Sequence, residues 1–123
     1  MSHRSRICAV LLDTSAATYE PVARFWGAAL GRKLDYSPAE RYATLNGAHL
    51  DCMVQRVEPG GEGVHFDIET DDVDAEVRRL EQLGAKRVRQ VKTWRVMEDP
   101  GGHRFCVVPA QSAHWPEGAA EWP

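Results

Sequence analysis

The chain runs twice through one order of elements, and that repeat constrains the fold more than any other feature. The first pass opens with Ile7 to Leu12, a short apolar run that predicts a buried strand. Asp13, Thr14 and Ser15 break it. A helix follows from near Tyr19, with Pro21 tolerated in a first turn whose amides lack intrahelical partners. Val22, Phe25, Trp26 and Ala29 form an apolar stripe at helical spacing, with Trp26 read as core, and Gly31 ends the helix. Three extended segments come next, Lys33 to Tyr36, Arg41 to Leu45 and Ala48 to Val57. Asn46-Gly47 between the last two predicts a type I′ hairpin, because both central residues of that turn need positive φ.

Pro59 to Gly63 is a flexible loop at the midpoint, and after it the order starts again. Val64 to Thr70 alternates like a strand, and Asp71 and Asp72 can cap the helix that follows. Val73, Val77, Leu80 and Leu83 make its buried stripe, and Gly84 stops it. Lys86 to Val91, Trp94 to Met97 and Arg104 to Val108 are three more strands, the last preceded by the turn Asp99-Pro100-Gly101-Gly102. Ala29-Leu30-Gly31 and Gln82-Leu83-Gly84 match at the helix ends, and Asp13 and Asp71 match after the first strands. The expected fold is α+β, two βαβββ modules side by side at about residues 6–58 and 64–109, forming a concave cleft. Clefts of this kind are where small ligands bind.

Length and composition agree. A chain of 123 residues holds one domain and can bury roughly two thirds of its unfolded surface. At 43% hydrophobic and 27% charged it is neither disordered nor collagen-like. No run approaches the roughly 18 apolar residues of a membrane span, and the apolar run at Ile7 is too short for a signal peptide, so a cytoplasmic location is expected. The net charge of −3 argues against nucleic acid as a partner. Arg78, Arg79, Lys86, Arg87, Arg89, Lys92 and Arg95 form a local basic surplus, read as the solvated outer face of one helix and one strand. Cys8, Cys52 and Cys106 lie far apart, with no CxxC pair, which implies neither a disulfide framework nor a zinc knuckle. No GxSxG elbow, P-loop or HExxH is present.

Phe25-Trp26 with Ala29-Leu30-Gly31, His65-Phe66-Asp67 leading to Asp71-Asp72-Val73, Leu83-Gly84-Ala85, and Asp99-Pro100-Gly101-Gly102 before Phe105-Cys106-Val107 together resemble the glyoxalase/bleomycin-resistance/dioxygenase superfamily. This is the vicinal-oxygen-chelate fold, and the resemblance is to its glyoxalase-like-domain branch over about residues 6–109. The tail, 110–123, lies beyond it; disorder, a fold over the cleft and a contact with a partner subunit all stay open for it. The resemblance implies a homodimer that binds a small molecule. It also implies metal ligands, usually His, Gln or Glu, from the first and last strands of each half. Those positions fall at Ala9, which cannot ligate, at Asp51, at His65, and at Cys106, where a carboxylate is expected.

Strand parity decides which side chains share a face. His65, Asp67 and Glu69 alternate with Phe66 and Ile68, which face the helices. His49, Asp51, Met53 and Gln55 share the cleft face, opposite Leu50, Cys52 and Val54. Arg104, Cys106 and Val108 oppose Phe105 and Val107, so Cys106 is a cleft thiol while Cys8 and Cys52 are core thiols. The expected ligand contacts are His65, Asp51, Met53, Gln55, Trp94, Cys106 and Tyr36, with Tyr42 as a further aromatic candidate. The expected function is a metal-independent small-molecule binding protein that sequesters a natural product or toxic metabolite, with no cofactor. The alternative is an isomerase, lyase or dioxygenase type of enzyme. In it His65 is acid or base, oriented by Asp67 or Asp51, or a divalent metal is held by Asp51, His65 and Cys106.

Overall fold

The computed structural model describes residues 2–47 and 50–123. Its elements run β1 (His3–Thr14), α1 (Tyr19–Leu30), β2 (Lys33–Asp35), β3 (Tyr42–Asn46), β4 (Asp51–Arg56), β5 (Gly63–Thr70), α2 (Val73–Gln82), β6 (Lys86–Val91), β7 (Trp94–Glu98), β8 (Arg104–Pro109) and β9 (Ala120–Trp122). This is an α+β fold of two βαβββ modules with one added strand. The chain forms two compact units, Ala9–His65, and Phe66–Pro123 together with the residues up to Cys8.

In the unit Ala9–His65 the strand order is β2-β3-β4-β1, with β1 and β4 parallel and the other neighbours antiparallel. Tyr19, Ala23, Ala43, Leu45 and Val54 form its core, with Leu12, Val22, Leu34, Tyr36 and Cys52 packed against them. The helix therefore buries Tyr19, Ala23 and Gly27 rather than Phe25, Trp26 and Ala29. Phe25 is 61% exposed, and Trp26 is not core. The physical reason is close approach. A Cβ added at Gly27 would lie 3.4 Å from the Leu34 Cβ and from the Arg32 carbonyl, so only a small residue fits there. Along the rest of the helix the small residues Ala23 and Gly27 take the sheet side, and Phe25 and Trp26 turn outward. Gly31 caps the helix in the left-handed conformation at φ 64°, as its spacing predicts.

The Asn46-Gly47 turn differs from expectation. Leu45 pairs with Cys52, so the connection is longer than a two-residue type I′ turn. Gly47 instead accommodates the Arg32 guanidinium, whose Cζ would stand 2.7 Å from an added Cβ. The strand start expected at Ala48 and the face position expected for His49 lie outside the described residues.

The other unit repeats the topology as β6-β7-β8-β5, with β5 and β8 parallel. Val77, Met97 and Val107 are its core, with Val73, Leu80, Ala85 and Phe105 packed against them. Asp72 caps α2 by accepting from the Ala75 N–H at 3.0 Å. Leu83, expected in the buried stripe, is 67% exposed, because the helix ends at Gln82 and Leu83 is its C-cap. Phe66, expected to face α2, is 52% exposed, while its ladder partner Phe105 packs on the core. β6 carries Lys86, Arg87 and Arg89 of the basic surplus, and its residues are largely exposed. That suits the outer strand of a sheet, where charge discourages pairing with other chains.

The tail folds back on its own unit. β9 pairs antiparallel with His3–Ser5 at the start of β1. Trp122 donates its indole N–H to Ser5 Oγ at 3.0 Å, and the Arg79 guanidinium lies 3.9 Å above its ring. Beneath the tail Glu69 is fully buried. It accepts from Arg6 Nε and from the Gln111 and Ser112 N–H groups, each at 2.8 Å, and from the Ser112 hydroxyl. Burial alone would raise its pKa, but these hydrogen bonds together hold it below the ordinary carboxylate value. Glu76, also fully buried, follows the same rule. Burial opposes ionisation, while Arg79, His3 and Ser5 outweigh it and lower the pKa.

Candidate functional site

Parity across the unit Ala9–His65 builds the site. Leu12, Ala43, Leu45, Cys52 and Val54 pack under α1, so the intervening residues of β1, β3 and β4 occupy the opposite face. Register then sets them in rows. Asp13 is the ladder partner of Gln55, and Gln55 is the partner of Tyr42. Leu11, Met53 and Thr44 form the next row, and Ala9 and Asp51 the one after. Hydrogen bonds join the ends of the first row. His65 Nδ1–H donates to Asp13 Oδ2 at 2.6 Å, and Gln55 Nε2–H donates to Tyr42 Oη at 3.2 Å. The result is a polar line, His65–Asp13–Gln55–Tyr42, along one end of the face. Ala9 and Leu11 are buried; Met53 and Gln55 are half-buried; Asp51 and Tyr42 are exposed. The polar line thus borders a surface that is apolar at Met53 and open at Asp51 and Tyr42.

Asp13 and Tyr42 are what sequence reasoning missed or left open. Asp13 was read as a strand breaker. Extending the alternation Ala9, Leu11 by one step would have put it on this face, since β1 continues to Thr14.

On β5, His65 and Asp67 are two residues apart, and Cys106 is the ladder partner of Asp67 on β8. Asp51 on β4 stands opposite Ala9 on β1. Asp51 and Cys106 hold matching positions, one opposite Ala9 on β1 and the other opposite Asp67 on β5. The carboxylate that accepts a hydrogen bond from His65 Nδ1–H is Asp13, which sequence reasoning did not name for that role.

One expected contact, Tyr36, lies on the opposite side of its sheet. Tyr36 packs against the core under α1, its ring 5.2 Å from that of Tyr19. Trp94 starts β7, half-buried, opposite Val91. Burial raises the Tyr19 pKa, with the neighbouring Tyr36 adding to it. Cys8 is buried, and Cys52 and Cys106 are half-buried.

The repeated modules, with their parallel β1/β4 and β5/β8 pairs, define a vicinal-oxygen-chelate protein. Residues 9–108 match the family model described as glyoxalase-like domain, and the chain belongs to that family. No curated protein matches the chain. Among solved structures, it is similar to one from Legionella pneumophila described as an NAD-dependent benzaldehyde dehydrogenase. That match has a TM-score of 0.65 and 17% identity, covering 84% of this chain and 98% of that one. A glyoxalase/bleomycin resistance protein/dioxygenase superfamily member from Vibrio splendidus 12B01 gives a TM-score of 0.57 at 19% identity, covering 86% and 99%. The 2,2',3-trihydroxybiphenyl 1,2-dioxygenase from Sphingomonas wittichii strain RW1 gives 0.60 at 10% identity, covering 89% of this chain. The match spans 42% of that enzyme's length. Likeness at these identities establishes the shared fold, and a fold of this kind serves many chemistries.

Proposed function

We propose that this chain is a small-molecule binding protein whose ligand lies on the β1–β3–β4 face, along the line His65–Asp13–Gln55–Tyr42. The observation that supports this most is the 2.6 Å Asp13–His65 hydrogen bond at the end of that line. It fixes the imidazole in one orientation, and the face that carries Asp13 also carries a half-buried Met53 one row along, which is how binding sites combine apolar surface with a few placed polar groups. The line needs no metal. Under this reading the protein sequesters a natural product or toxic metabolite as a cytoplasmic homodimer. A thermal-shift screen of the protein against antibiotics and metabolites tests it. At least one compound should raise the Tm of the wild type and not that of His65→Ala. No stabilisation anywhere in the panel would remove the reading, and a monomer at micromolar concentration in sedimentation would remove the dimer.

A second reading is an enzyme of isomerase, lyase or dioxygenase type. The Asp13–His65 hydrogen bond favours it, since a carboxylate on Nδ1 leaves the other ring nitrogen to act as acid or base, or as ligand of a divalent ion. Metal analysis of protein purified without chelator tests the ligand role. Stoichiometric metal lost in His65→Ala supports it, whereas no metal and no thermal shift with zinc, nickel, manganese or iron removes it.

A further inference from the structure

The Asp13 carboxylate has one oxygen engaged and one idle. Oδ2 accepts from His65, while Oδ1 is buried and has no hydrogen-bond partner among the described residues. A buried carboxylate oxygen without a donor is costly, and its persistence calls for a group that completes it. The adjoining Gln55 does not supply that group, since its amide N–H is directed across to Tyr42 on the far side from Asp13. The same face offers apolar surface at Met53, one row along from Asp13. An acceptor without a donor, set beside apolar surface, states what is missing from the line.

We infer that the ligand is a small, partly apolar alcohol, phenol or amine that donates a hydrogen bond to Asp13 Oδ1 and rests its apolar part against Met53. This rests on the binding reading above and narrows it. An acceptor-only ligand, such as an ether or ester, leaves Oδ1 unsatisfied and sets its own lone pairs against a carboxylate. A donor, neutral or cationic, removes the cost in one contact. His65 stays bound to Oδ2 throughout, so the carboxylate is held in place when the ligand arrives.

The probes are benzyl alcohol, benzylamine and anisole. Benzyl alcohol and anisole are isomers, so they differ in the presence of a donor rather than in size. Each is titrated into the full chain at millimolar concentration, and the backbone amide signals of Asp13, His65 and Met53 are followed by NMR. The expected result is saturable shifts at these residues, with benzyl alcohol or benzylamine binding about tenfold tighter than anisole. Which of the two binds better distinguishes a neutral hydroxyl from a cationic amine. In Asp13→Asn, which puts an N–H donor on that side chain, the preference over anisole should disappear. Should that variant not fold, the wild-type comparison still decides. Equal binding of all three probes overturns the inference and leaves the binding reading standing. No shift at Asp13, His65 and Met53 with any probe overturns both.

Discussion

Glu69→Gln tests how the tail is fastened. The substitution keeps the shape and one carbonyl oxygen, so the Gln111 and Ser112 amides retain an acceptor. It removes the charge and turns an NH2 group toward Arg6 and the Ser112 hydroxyl. A hydrogen bond to a charged partner contributes about 1.5–3 kcal/mol, and a neutral one about 1. Arg6 keeps other acceptors, the Ser112 hydroxyl and the Glu117 carbonyl, which limits the loss. The expected destabilisation is therefore about 3 kcal/mol, or roughly a 10 °C fall in Tm for a domain of this size. Urea unfolding followed by tryptophan fluorescence measures it, since Trp115 lies 5.6 Å from the Arg6 guanidinium. The pH dependence carries the same signature. Glu69 is held below its ordinary value of 4.5, so its stabilisation is present above that value and is lost as pH falls through the lower, folded one. The variant should lose part of this acid-side decline. A change below about 0.5 kcal/mol, with an unaltered acid limb, would refute the claim that this carboxylate is ionised and holds the tail.

Asp72→Ala should cost about 1 kcal/mol in chemical unfolding, because it removes the acceptor for the Ala75 amide. Gly27→Ala should be neutral or stabilising, as the nearest atoms to its Cβ are at 3.4 Å. Gly27→Leu should cost about 1–3 kcal/mol by pushing α1 off β2 and β3. Deleting residues 110–123 should lower the Tm by more than Glu69→Gln does, since Trp122 and β9 are lost as well; an equal fall would confine the tail's contribution to Glu69.

Much of the architecture could be read from residue order. The period-two runs, the helix-stopping Gly31 and the Asp72 cap are local signals, and each element appears within a few residues of its predicted place. The misplaced features share one cause. The α1 stripe was drawn through the largest apolar residues, but the spacing between helix and sheet at Gly27 admits only small ones. Leu83 and Phe66 were placed by periodicity, which says nothing about whether a partner surface reaches that far. The Asn46-Gly47 signal predicts a tight turn, and the Leu45–Cys52 register lengthens it.

For the site, alternation alone assigned Asp51, Met53 and Gln55 to one face, and Cys106 to the face of Asp67, because in a strand the side a residue faces is a property of the chain itself. Which strand lies beside which, and in what register, depends on pairings between residues tens of positions apart. Only those pairings set Asp13 against His65 across 52 residues of sequence and turned the tryptophan-bearing tail into a ninth strand.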